Sequence, residues 1–237
     1  IRPERQNVYE AGVQQSLGGR LGLDASFYHK NSTDQQDNDN FLDTGIIFPT
    51  TLKKIRVNGA EVRLTAPEIR GLSGWVSLTH FRAISTPPFT GGLFLGQTAV
   101  DLLSSGPFVI DHDQKLGVHA LAQYRTRRNF WSSLTVRHDS GLVSNPSDPA
   151  EVAQDPDFFD LLPYVNLESD PPRVRPRTIF DCAVGYERSH EGRRRWDLQF
   201  QVLNLTNKTA LYNFQSVFVG TRLVAPRALG LKWRWYW

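Results

Sequence analysis

The 237-residue sequence contains no methionine and a single cysteine, Cys182. One thiol excludes an internal disulfide, so no covalent cross-link supports the fold. Long apolar runs are missing too. Hydrophobic residues make up 40% of the chain, yet no stretch approaches the roughly 18 uninterrupted apolar residues of a membrane helix. That absence leaves room for a membrane barrel, which needs apolar residues only at alternate positions. Runs of one charge sign are also lacking. The net charge is +3 and the basic residues are scattered, which suits arginines lining a wet interior better than an anionic ligand or surface, and no nucleic-acid partner is expected. The chain starts at Ile1 without a basic leader, an apolar signal core or a small-residue cleavage site, and is expected to be part of something longer.

What is present is alternation. The closing stretch "ALGLKWRWYW" puts Leu229, Leu231, Trp233, Trp235 and Trp237 on one side, and Ala228, Gly230, Lys232 and Arg234 on the other. A period of two predicts a strand with one greasy and one wet face. The same sorting recurs upstream. Tyr9, Ala11, Val13 and Leu17 oppose Glu10, Gly12 and Gln14 before a Gly18-Gly19 turn, as a hairpin requires. Leu21, Leu23, Ala25 and Phe27 follow; then Val57, Ala60, Val62 and Leu64, whose phase slips near Gly59 and suggests a bulge there. Leu72, Val76 and Leu78 are read as outward, with Trp75 and Phe81 leaving that facing ambiguous. Leu116 to Tyr124, Ser132 to Val136, Phe180 to Tyr186 and Trp196 to Val202 repeat the pattern.

Every second connection is short. The others are long and polar: "NSTDQQDNDNFLDTGIIFPTTLKK", "STPPFTGGLFLGQTAVDLLSSGPFVIDHDQ", Ser144 to about Arg175, and "NKTALYNFQSVFVGT". Within them, Ala99 to Leu103 reads as a helical turn and "SDPAEVA" as a brief helix start. Tyr9, Phe27, Tyr124, Tyr186 and Trp196 stand towards strand ends. Together these features predict an all-β fold: an antiparallel up-and-down meander of about nine strands, part of a larger transmembrane barrel, with long loops on one side and short turns on the other. An arginine facing lipid at the bilayer midplane would cost about 2–4 kcal/mol, and strict alternation avoids that. A soluble sandwich would instead bury the apolar stripes between two layers.

Candidate sites yield to plainer readings. Asp34 to Asn40 is oxygen-rich, as calcium loops are, but lacks the glycine turn and distal glutamate of such a loop. Asp111, His112 and Asp113 point different ways on an extended chain, so they are read as a network at the start of a strand. His80, His119, His138 and His190 share no ligand spacing. Asp155 and Asp157 lie in a proline-rich loop, and no nucleophile elbow or phosphate-binding glycine loop occurs. No catalytic, cofactor-binding or metal-binding residue is assigned, and no enzyme activity is expected.

Several stretches, in order, resemble the C-terminal barrel portion of a TonB-dependent outer-membrane receptor: "RPERQNVYEAGV", "VNGAEVRL", "PPFTGGLFLG" followed by "IDHDQ", and "VLNLTNKTALYNF". The terminal "LGLKWRWYW" resembles a barrel-closing strand. The resemblance implies residues 1–237 as part of a roughly 22-stranded barrel with a plugged lumen. The plug, the N-terminal strands and the segment contacting the TonB complex would then lie in a missing N-terminal part. It further implies a bacterial outer-membrane location against lipid, and long loops capturing a scarce small-molecule or glycan nutrient such as a metal chelate, cobalamin or glycan. Leu229, Leu231, Trp233, Trp235 and Trp237 would form the signal read by the barrel-assembly machinery. In that setting the sequons at Asn31, Asn204 and Asn207 carry no meaning. The competing expectation is a non-transporting barrel or surface-binding protein.

Overall fold

A computed structural model describes residues 2–40, 47–91, 97–144, 149–191, 193–216 and 220–236. Nine long strands carry the architecture: β1 Arg5–Leu17, β2 Leu21–Asn40, β3 Ile47–Ile69, β4 Leu72–Gly91, β5 Gln114–Arg125, β6 Phe130–Asp139, β7 Arg177–His190, β8 Arg193–Leu203 and β9 Ala228–Trp235. They pair antiparallel in chain order, β1 through β9, as a meander. The sheet is open: β1 pairs only with β2, and β9 only with β8, among the described residues.

The register aligns the apolar stripes strand by strand. Val13 stands opposite Ala25, Ala25 opposite Val62, and Val62 opposite Leu78. Further along, Leu134 faces Cys182, Cys182 faces Val202, and Val202 faces Leu229. Among the described residues, no second layer covers this face. Phe27, Val184, Phe200 and Trp233 are exposed, and Leu229 and Leu231 reach 70% and 73%. A soluble sandwich would have hidden them, so the single-layer barrel-wall expectation holds. Leu72 and Leu78 lie on this apolar face as expected. Trp75 points the other way, its ring under the Arg63 guanidinium at 4.7 Å.

Two expectations are corrected. The connection expected from Asn31 to Lys54 is mostly strand, because β2 runs to Asn40 and β3 begins at Ile47. Likewise β4 runs on through "STPPFTG" to Gly91. Polar residues predominate along these extensions and interrupt the period-two alternation, which hides their strand character. The expected bulge at Gly59 is also absent: Gly59 pairs in register with Tyr28 and Phe81. The irregularities of the β3–β4 ladder fall instead between Leu52 and Lys54 and between Ala66 and Ile69. Gly59 is glycine because the Tyr28 ring occupies the space its Cβ would take. Val57 broke the pattern because it lies on the polar face, packed against a local core.

Short turns close one end of the sheet. Gly18 and Gly19 in the three-residue turn between Leu17 and Leu21, and Arg70 with Gly71 in the two-residue turn between Ile69 and Leu72, all have positive φ, the geometry that tight hairpins demand. The long connections gather at the other end. They contain α1 (Gln97–Ser104), α2 (Pro149–Gln154) and a 3-10 turn at Phe159–Tyr164. They also hold two small ladders, Val165–Asn166 with Arg173–Val174 and Leu211–Ser216 with Gly220–Leu223. Both helices coincide with the expected ones.

Candidate functional site

The candidate site is the long-connection end, because there the wall extends furthest and the connections fold on one another. β2, β3 and β4 have 20, 23 and 20 residues. At ~3.3 Å per residue, β3 spans about 75 Å, some three times the roughly 25 Å apolar band of a membrane barrel. The surplus projects beyond such a band. On its polar side, Leu52, Ile55 and Ala83 form a core with Leu103 of α1 and Ile110. The connection after β4 is thereby pressed onto the wall, and the Ile110 amide donates to the Ala83 carbonyl at 3.1 Å.

A second core joins the other two connections. Val152, Val165 and Val174 come from residues 140–176; Leu211 and Phe214 come from residues 204–227. Phe214 is completely buried and meets Phe158 edge-on, with ring centroids 5.7 Å apart.

Buried polar groups tie these units together. The Asp113 carboxylate accepts the Ala83 amide at 2.9 Å and pairs with Arg173. Arg173 also donates to the carbonyls of Asp113 and Gly141, each at 3.1 Å. Asp111 accepts the Ser216 hydroxyl, and His112 lies 2.9 Å from Asp111. The strand-start reading of Asp111 to Asp113 was right, but its reach was missed: it clamps all three connections. Arg177 pairs with Asp139 at 3.0 Å, donates to the Leu211 carbonyl at 2.8 Å and sits over the Tyr212 ring. Asn204, with φ 49°, donates to the carbonyls of Lys208 and Ala225 and accepts the Lys208 amide. Sequence reading passed over Arg173, Arg177 and Asn204. Arg173 lay in the long connection from Ser144 to about Arg175 and Asn204 in a sequon set aside, but neither was given a structural role.

Below this assembly the polar face carries a recess of about 740 Å3 lined by Glu10, Gln14, Asp24, Glu61 and Arg63. Asp34 and Gln35 belong to β2, with Gln35 in register opposite Leu52. Among the described residues, no three of His, Cys, Asp and Glu gather as metal donors. At the turn end, Arg234 pairs with Asp197 at 3.2 Å, and Glu187 takes both Arg125 and Arg194. Leu229, Leu231, Trp233 and Trp235 share the apolar face of β9, where Trp233 and Trp235 meet edge-on at 6.2 Å. Trp237 lies outside the described residues.

A wall with one apolar and one charged face, short turns at one end and folded loops at the other, matches a known family over most of its length. The model of the TonB-dependent receptor-like β-barrel matches residues 1–205. The chain belongs to that family. Solved receptors share its fold. The ferric-catecholate import receptor Fiu of Escherichia coli K12 is 17% identical, with a TM-score of 0.61, over 98% of this chain and 28% of its own. The ferripyoverdine receptor of the Pseudomonas aeruginosa outer membrane is 14% identical, with a TM-score of 0.59, over 99% of this chain and 27% of its own. The FrpB iron transporter of Neisseria meningitidis is 14% identical, with a TM-score of 0.59, over 97% of this chain and 31% of its own. The chain thus spans under a third of each receptor's length. Among curated proteins, none matches the sequence.

Proposed function

We propose that this chain supplies barrel wall and ligand-capturing loops to an outer-membrane receptor that imports a scarce nutrient with energy from TonB. The family match over residues 1–205 carries the reading. The apolar face supports it, since side chains as exposed as Leu231 and Trp233 are stable against acyl chains and costly in water. In this reading residues 1–237 are the C-terminal part of a longer barrel whose remaining strands pair with the free edges of β1 and β9. The folded loops bind the nutrient and catalyse nothing. The solved receptors named above include a ferric-catecholate importer and an iron transporter, which favours a metal chelate over cobalamin or a glycan.

Uptake of ferric chelates by cells expressing the full-length parent, with and without TonB, tests this. Uptake should require TonB and fall sharply when residues 87–106 are deleted, because that removes α1 from the loop assembly. Uptake that continues unchanged without TonB defeats the energy-coupling reading. Binding with no uptake in either background supports a non-transporting surface barrel instead.

The apolar residues of β9 have a second proposed role, as the segment the assembly machinery reads. Deleting Trp237 should reduce the yield of heat-modifiable folded barrel more than it reduces ligand affinity per folded molecule. A normal yield removes that role and leaves the tryptophans as interfacial packing.

A further inference from the structure

The apolar face carries a recess of about 400 Å3 close to the short turns. Its origin is one small side chain. Register places Ser132 in a single cross-strand row with Tyr124, Val184, Phe200 and Leu231. Tyr124 and Val184 therefore flank a gap at Ser132, and Phe200 and Leu231 continue the recess wall beyond Val184. Aromatic rings bound the gap on the turn side, with Phe130 4.7 Å from Tyr186 and Tyr186 5.4 Å from Trp196 between centroids.

Cations stand beyond the rings. Along the apolar face of β7, Val184 and Tyr186 are followed by Arg188, which is exposed and pairs in register with Trp196. Arg127 and Arg128, also exposed, form the β5–β6 turn between Thr126 and Phe130, which both line the recess. Carboxylates also stand at this end: Asp197 pairs with Arg234, and Glu68 lies within electrostatic reach of Arg125. Glu187 is on the polar face, paired with Arg125 and Arg194, and Glu191 is at the tip of the next turn. Arg127, Arg128 and Arg188 take no part in the Glu187 pairs. Apolar slot, aromatic ring and cation thus succeed one another in the order of hydrocarbon, interface and headgroup.

We infer that this recess and its three arginines form a binding site for an anionic glycerophospholipid of the leaflet at the short-turn end. One acyl chain fills the slot above Ser132, and the phosphodiester sits among Arg127, Arg128 and Arg188. Charge complementarity selects the lipid. A zwitterionic headgroup offers the same phosphate but brings an ammonium that three guanidinium groups repel. The site rests on the outer-membrane reading above.

Full-length receptor in mild detergent, titrated with phosphatidylglycerol or phosphatidylethanolamine and examined by native mass spectrometry, tests the site. Each preparation is first checked for heat-modifiable folding. The unaltered protein should retain phosphatidylglycerol several-fold better than phosphatidylethanolamine. Replacing Arg127, Arg128 and Arg188 together by glutamine should lower that retention by on the order of tenfold or more. Ser132→Phe, which fills the slot and leaves every charge in place, should lower it as well. Equal retention of the two lipids, or a Ser132→Phe protein that retains phosphatidylglycerol unchanged, overturns the site. Competition by the chain-free glycerophosphoglycerol headgroup as effective as that by the lipid also overturns it. A parent protein that never fractionates with the outer membrane overturns the membrane reading itself. An inserted barrel without lipid preference overturns this site alone.

Discussion

Arg173 donates to the backbone carbonyl of Asp113 at 3.1 Å and pairs with the carboxylate of the same residue, 60 positions earlier in the chain. Both side chains are buried. The pair links the connection after β4 to the one after β6 through groups buried from water.

Removing one partner should therefore loosen the loops and spare the wall. Arg173→Ala leaves the Asp113 charge buried with only the Ala83 amide, a change worth about 3–5 kcal/mol. Limited proteolysis should cut residues 140–176 faster while heat-modifiable barrel yield stays unchanged. Replacing both residues by apolar ones of similar size should recover part of the protection.

Asn204 is expected to matter at the base of the last long connection. Asn204→Ala loses three hydrogen bonds to Lys208 and Ala225 and strains a residue with φ 49°. Each buried polar group left without a partner costs about 1–3 kcal/mol. Hydrogen exchange should accelerate across residues 204–227. Asn204→Gly, which accepts the positive φ but not the bonds, should show an intermediate rate.

Phe214 anchors the core shared by two connections. Phe214→Ala opens a cavity in a fully buried position, at a cost of about 3–5 kcal/mol. Exchange protection should be lost together in residues 149–167 and 211–223, and ligand binding by the full receptor should weaken. Loss confined to one of the two segments would show that they do not fold as a unit.

The facing of the strands is tested by neighbouring arginine substitutions. Phe200 is exposed on the apolar face, and Gln201 stands next to it on the polar face. Phe200→Arg should cost up to about 2–4 kcal/mol in lipid and depress folded yield, whereas Gln201→Arg should be tolerated. Equal yields would contradict a lipid-facing role for Phe200.

Strand facing and the alternation of short and long connections were legible along the chain, because each strand must separate an apolar from a wet environment locally. Trp233 and Arg234 declare their sides without reference to any distant residue. The extensions of β2 and β3 were not legible, since polar Gln35 stands opposite buried Leu52 and no apolar alternation marks the run. Val57 misled for the opposite reason: it is apolar on the polar face because α1 folds down beside it.

By itself, then, the order of residues determined the meander, its facing and the placement of the terminal aromatics at the short-turn end, because period-two chemistry acts between neighbours. Only the tertiary structure decided how the loops lock. Ser216 reaches Asp111 across 105 positions and Arg173 reaches Asp113 across 60. No local pattern encodes contacts at such separations, because they exist only after the intervening strands have carried those residues to the same end of the sheet.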